Sequence, residues 1–196
     1  MAKKFKIRIY GDPVLKEVSE EVADIDGALV KTCNRMLDAM YDEPGLGLAA
    51  PQVGIGQRFF VYDLTKQGFG NGPGVLINPE VVESRDEWSY DEGCLSVPEL
   101  SWEIIRPKEI HIKGYDINGE EISIEADELL ARLFLHELDH LDGVLLLDHL
   151  DDDQRREAKK ILRDRTLNGI TGRRKRLSDF PEDLEPGAAG GGLALP

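Results

Sequence analysis

His136 and His140 stand four residues apart with Glu137 between them, in the run Leu133-Phe134-Leu135-His136-Glu137-Leu138-Asp139-His140-Leu141. On an α-helix, positions four apart lie one turn apart on the same face, so both imidazoles can converge on one cation while the carboxylate sits beside it. That is the chemistry of a metal-activated water with a general base at hand. The pattern arises by chance in roughly one in a hundred shuffled chains of this composition, so its surroundings decide its worth. Here they are apolar. Ala126, Leu129, Leu130, Leu133, Phe134, Leu135, Leu138 and Leu141 leave few polar positions and predict a helix covered on most sides. Two imidazoles in such a place need partners, either a metal or hydrogen-bonding groups of the core.

A catalytic ion of this kind takes three protein ligands and keeps one position open for water, so one ligand is missing. The extended metalloprotease pattern would need a histidine at 146. The chain has Leu146 there, although Gly143 fits. Glu157 lies in a basic segment that reads as an exposed helix, a poor place from which to reach a buried ion. Cys94 is the better candidate. It stands in Asp91-Glu92-Gly93-Cys94-Leu95-Ser96-Val97-Pro98, belongs to no helical stripe, and offers a thiolate suited to iron, zinc or cobalt. Cys33, by contrast, falls on an apolar helical stripe and reads as a small core residue.

The elements that must position these groups follow from periodicity. Ala28, Leu29, Cys33, Met36, Leu37 and Met40 recur at helical spacing and predict a helix over Asp26 to Tyr41, with Asp24 or Asp26 as its cap. Gly45-Leu46-Gly47-Leu48-Ala49-Ala50-Pro51-Gln52-Val53-Gly54 is a run of small residues that builds a strand poorly. It serves either close approach of a ligand or an ordinary structured loop. Arg58 to Leu64 and Val75 to Asn78 predict antiparallel strands across a glycine-rich loop, with Val81 to Ser84 extended beyond them. Ile104-Ile105 and Glu109 to Tyr115 read as strands, and Asn118-Gly119 as a hairpin turn into Glu121 to Glu125. The metal-binding helix then opens near Glu125 to Asp127. Val144 to Leu147 reads as a short strand, and Asp151 to Arg165 as a third helix with Ala158, Ile161 and Leu162 on one side.

Length and composition set the outer bounds. The 196 residues fit one domain with a sizeable core. No apolar run reaches the length of a membrane span, the basic N-terminus lacks the apolar core of a signal peptide, and two cysteines make no disulfide framework. The expectation is a cytoplasmic protein. A net charge of −14 disfavours general affinity for DNA, yet residues 151–176 hold ten Lys or Arg against five Asp or Glu. That segment is either a solvated amphipathic helix or a contact for an anionic surface such as ribosomal RNA. Beyond about residue 177 the composition turns to glycine, proline and charge and predicts disorder.

Three stretches together carry a resemblance. Gly45-Leu46-Gly47-Leu48-Ala49-Ala50-Pro51-Gln52, then Glu92-Gly93-Cys94-Leu95-Ser96, then His136-Glu137-Leu138-Asp139-His140 resemble, in order and separation, the three signature motifs of the peptide deformylases. The similarity runs from about Ile7 to about Leu162. It implies an α+β fold with antiparallel β-sheets around a central metal-binding helix, flanked by an N-terminal and a C-terminal helix, in a single catalytic domain over residues 1–166 with a C-terminal extension over 167–196. It implies removal of the formyl group from N-formylmethionyl nascent chains, with one divalent ion, Fe(2+) physiologically and Zn(2+), Ni(2+) or Co(2+) as substitutes. By resemblance, Cys94, His136 and His140 hold the metal, Glu137 is the base, and the Gln52 side chain and Leu95 backbone N–H receive the oxyanion. Gly45, Leu46, Gly47, Glu92 and Gly93 would line the peptide's path, and Leu129 and Leu133 an apolar pocket for methionine. Arg132 is expected to face away or to pair with an acid such as Glu92. Many relatives carry a basic residue soon after the cysteine motif that helps hold the peptide. None occurs here before Arg106.

Overall fold

A computed structural model describes residues 4–68, 70 and 72–168. The expected disorder beyond about residue 177, and the part of the basic segment past residue 168, lie outside the described residues. The first helix, α1, spans Gly27–Asp42, and its N-cap is Asp26, whose carboxylate accepts from the Ala28 and Leu29 N–H groups at 2.9 Å each. Seven strands follow in chain order: β1 (Gly47–Ala49), β2 (Phe59–Tyr62), β3 (Gly74–Arg85), β4 (Trp88–Cys94), β5 (Val97–Arg106), β6 (Glu109–Tyr115) and β7 (Glu121–Asp127). Helix α2 (Glu128–Leu141) comes directly off β7, and α3 (Asp152–Asn168) closes the described chain.

The strands form two antiparallel sheets, one of five in the order β1-β2-β3-β6-β7 and one of two, β4-β5. The apolar run of β2 explains how the larger sheet sits. Successive side chains of a strand point to opposite faces. Phe59 and Val61 accordingly pack with Leu29, Met36 and Met40 of α1, while Phe60 packs with Phe134, Leu138 and Leu141 of α2. Both faces of this part of the sheet are therefore covered by helices, which is why β2 reads as continuous rather than alternating hydrophobicity. Phe134 is fully buried, with ring centroids 5.6 Å from Phe60 and 4.9 Å from Tyr62. A third cluster joins Cys94, Val97 and Ile104 of the small sheet to Leu146, Leu147, Leu150, Ala158 and Leu162, so α3 packs against the hairpin that carries the cysteine.

The α+β architecture expected from the sequence is the one observed, with four local corrections. The small-residue run does build a strand. Its Gly47–Ala49 pair with Tyr62, Val61 and Phe60, and the pairing supplied by β2 outweighs weak intrinsic preference. The segment before Cys94, to which the sequence assigned no element, is also a strand. Helix α2 starts at Glu128, not at 125–127, because β6–β7 pairing continues to Asp127 and the chain turns sharply at Glu128, with φ of 43°. The expected strand at Val144 to Leu147 is instead a 3-10 turn, Leu146–His149, in which the Asp148 carboxylate accepts from the Leu145 N–H at 2.7 Å. Gly143 ends α2 with φ of +70°, and a Cβ there would stand 2.7 Å from the Lys16 carbonyl oxygen, so only glycine fits. Among the described residues no helix is long and apolar enough to cross a membrane.

Candidate metal centre

The donor atoms of Cys94, His136 and His140 all lie within 4.8 Å of one another, the one such group of three among the described residues. Two elements bring them together. Helix α2 supplies the imidazoles, whose ring centroids are 5.1 Å apart, and Cys94 ends β4 at the tip of the β4–β5 hairpin, its Sγ 3.2 Å from His140 Nε2. The alternation of β4 places Trp88, Tyr90, Glu92 and Cys94 on one face, and Glu92 and Cys94 are its buried members. Burial alone would raise the Cys94 thiol, but the imidazoles of His140 and His136 hold it well below the ordinary thiol value. Leu146 is buried in the 3-10 turn and Glu157 is exposed on α3, so neither alternative third ligand joins the group.

Glu137 is 2 % exposed, and its Oε2 has no hydrogen-bond partner, an arrangement that leaves a buried acceptor waiting for a donor. Burial pushes this carboxyl up to about 7, against the opposing pull of His136 and His140. One thiolate and two imidazole nitrogens beside an unpartnered carboxylate oxygen fit a divalent ion with an open position for water.

The surrounding groups are held in turn. Glu92 Oε2 lies 3.0 Å from His136 Nδ1, which directs the other ring nitrogen towards the donor cluster. Arg106 grips Glu92 with its Nε at 2.6 Å and a terminal nitrogen at 3.0 Å, and reaches Asp139 at 2.8 Å. Burial opposes charge on Glu92, yet the hydrogen bonds from His136 and Arg106 hold its carboxyl well below the usual range. Arg132 also donates to Glu92, so of the two expectations for this residue the pairing is the one found. Gln52, 1 % exposed, is fixed at both ends of its amide. Its Oε1 accepts from the Ala49 N–H at 2.8 Å, and its Nε2 donates to Ser96 Oγ at 3.2 Å, with Cys94 Sγ at 3.9 Å.

The remaining expected residues stand at different places relative to this centre. Gly47 stands against Glu137, where an added Cβ would meet Glu137 Oε1 at 2.5 Å and Leu133 Cδ1 at 2.7 Å. Gly45 is close to Leu95, whose Cδ1 would lie 2.9 Å from a Cβ at Gly45, so the β1 side and the hairpin tip face each other. Leu46 is half-buried, and its carbonyl accepts from the Asp63 N–H at 2.9 Å. Leu129 and Leu133 belong to the cluster between α2 and the large sheet, and Gly93 is exposed on β4. Sequence reasoning gave no role to Ser96, Arg106 or Asp139, nor to His149, whose Nε2 lies 2.7 Å from Asp139 Oδ2. Arg106 shares the inward parity of Ile104 on β5, and a cation at such a position demands a buried carboxylate, which was the available signal.

Comparison with known proteins gives the same picture. Residues 4–156 match the family model for polypeptide deformylase. The chain is 46% identical to the peptide deformylase of Thermotoga maritima over 161 residues, covering 82% of this chain and 95% of the relative. Among solved structures it resembles a peptide deformylase from Legionella pneumophila, with a TM-score of 0.79 and 34% identity, over 87% of this chain and all of that one. It also resembles one from Synechococcus elongatus in complex with actinonin, with a TM-score of 0.77 and 38% identity, over 83% of this chain and 90% of that one.

Proposed function

Because the chain belongs to the polypeptide deformylase family, we propose that its residues perform the formamide hydrolysis which that membership implies, removing the formyl group from N-formylmethionyl nascent polypeptides and releasing formate. The observation that carries this reading is the convergence of Cys94, His136 and His140 with the unpartnered Glu137 carboxylate. When bound there, a divalent ion supplies Lewis acidity and brings the pKa of a water in its open position down towards 7. Glu137 takes the proton of the attacking water. It then returns that proton to the departing nitrogen. The oxyanion formed at the formyl carbon accepts from the Gln52 side-chain amide and the Leu95 N–H. The anchoring of Gln52 by Ala49 and Ser96 supports this assignment, because a donor that is already oriented costs no reorganisation during reaction.

The peptide adds alongside Gly45, Leu46 and Gly47 as a further strand. Among the described residues β1 pairs only with β2 in its sheet, which leaves its other edge for such a chain. Glu92 and Gly93 border the same path, and Leu129 and Leu133 wall the methionine pocket. Ferrous iron is the proposed resident metal, with zinc, nickel or cobalt as substitutes for it. Residues 1–166 form the catalytic domain and 167–196 an extension. The exposed Lys159, Lys160 and Arg163 of α3 support a contact with ribosomal RNA in the cytoplasm. The test is anaerobic loading with ferrous iron, or loading with nickel, followed by a formate assay on a formyl-Met peptide. Stoichiometric formate with no internal cleavage is expected. Cleavage of an unformylated peptide without formate would overturn the assignment.

A further inference from the structure

Arg132 lies one helical turn before His136 on α2, is 3 % exposed, and has no part in the reaction just described. A guanidinium buried to that degree is costly unless its contacts compensate. One terminal nitrogen donates to Glu92 Oε1 and, at 3.0 Å, to the Ile104 carbonyl; the other donates to the Trp88 carbonyl. The guanidinium carbon stands 4.9 Å from the Trp88 ring centroid and 5.7 Å from that of Tyr90. Trp88, Tyr90 and Glu92 belong to β4 and Ile104 to β5. One side chain of α2 therefore grips both strands of the hairpin.

Charge pairing alone does not account for it. Glu92 already has a bidentate partner in Arg106, so a second guanidinium is not needed to neutralise the carboxylate. The contacts that only Arg132 makes are those to the two carbonyls and to the rings, and they add to the Arg106–Asp139 and Glu92–His136 contacts that also tie the hairpin to the helix. The same two elements divide the metal ligands between them, His136 and His140 on α2 and Cys94 on the hairpin.

We propose that Arg132 is a positioning residue of the metal centre, whose fork across β4 and β5 presets the distance of Cys94 from the two imidazoles before a metal arrives. The proposal rests on the reading of Cys94, His136 and His140 as ligands. A forked, planar donor is required, since a lysine ammonium is a point charge on a flexible stem and does not reproduce this geometry. Without the fork the three donors remain, but their convergence has to be achieved during binding. Metal affinity falls by about 10- to 100-fold, the range for partners that orient ligands.

The experiment is chelator competition for Co(II) on the full-length protein, read together with the thiolate and ligand-field absorption of the bound ion and the melting temperature of the metal-free protein. Arg132→Met and Arg132→Lys are both expected to weaken Co(II) binding by about 10- to 100-fold and to alter the absorption spectrum. Trp88→Leu, which keeps the carbonyl and loses the ring, is expected to weaken binding less. An affinity within threefold of wild type for Arg132→Met, full restoration by Arg132→Lys, or a lowered melting temperature with unchanged affinity would each overturn the proposal. If Arg132→Met does not fold, wild-type affinity in both Arg132→Lys and Trp88→Leu overturns it. Co(II) binding by Cys94→Ser as tight as wild type would instead overturn the ligand reading, and this proposal with it.

Discussion

Alanine at Gly47 is a one-methyl perturbation aimed at Glu137, the proposed base. Gly47 lies in β1 and its backbone is not left-handed, so alanine meets no conformational strain; within a strand it is favoured over glycine by roughly 0.5–1 kcal/mol. The cost is steric. The new Cβ would stand 2.5 Å from Glu137 Oε1, 2.9 Å from its Cδ and 2.7 Å from Leu133 Cδ1, where ordinary contact begins at 3.4 Å. Restoring contact requires the carboxylate to withdraw by about 1 Å, and a displacement of that size costs on the order of 10²-fold in rate. That corresponds to about 2.7 kcal/mol of transition-state stabilisation. The assay is steady-state formate release by Gly47→Ala, with metal content and melting temperature measured on the same sample. The expected result is a kcat near one hundredth of wild type with one metal per chain and no loss of thermal stability. A kcat within threefold of wild type at full metal content would refute the placement of Glu137 as base beside Gly47.

Three further outcomes follow from the same geometry. Ser96→Ala removes the acceptor that holds Gln52 Nε2 but leaves the backbone N–H of residue 96, which donates to Cys94 Sγ at 3.3 Å. A fall in kcat of about 10-fold, a fraction of the 10²–10³-fold for deleting an oxyanion donor, is expected with metal content unchanged, checked by kinetics and elemental analysis. Phe134→Ala empties the centre of the cluster between α2 and the sheet and should destabilise the protein by about 3–5 kcal/mol, lowering Tm by roughly 10 °C in thermal unfolding. Burial pushes the Cys33 thiol up to about 12, so it stays protonated throughout the pH range of about 7 to 9. Mass spectrometry of native protein treated with an alkylating reagent should find Cys33 unmodified at both ends of that range, and modified once denaturant is added.

The helices were legible because their apolar residues recur at helical spacing, and α1 also because its cap, Asp26, is explicit. The β6–β7 hairpin was legible for a similar reason. Ile110, Ile112, Ile122 and Ile124 alternate around a turn in which the Asp116 carboxylate accepts from the Asn118 and Glu120 N–H groups and Gly119 has φ of +79°. Of the hairpin bearing Cys94, only Ile104-Ile105 was legible as strand, and the rest was hidden by the polar residues it carries inward. Glu92 and Arg106 occupy inward positions that an ordinary strand fills with hydrophobic residues, so the period-two signal breaks where the site is built. β1 was hidden for a different reason, since Gly47-Leu48-Ala49 is too short to show a pattern of its own and becomes a strand through pairing with β2. In the site, the helical pair and the cysteine were readable from residue types and spacing. The anchoring of Gln52 by Ser96 and the hold of Arg106 and Arg132 on Glu92 depend on long-range pairing, which no local spacing encodes.

The central claim is that Glu137 is the base beside a metal held by Cys94, His136 and His140. Glu137→Gln tests it most directly, because the amide keeps the shape of the side chain, cannot take the proton, and removes no ligand. Metal stoichiometry and formate release measured on one preparation should show one equivalent of metal per chain, as in wild type, with turnover reduced by about 10²–10⁴-fold. Loss of the metal on substitution, or formate release at the wild-type rate, would contradict it.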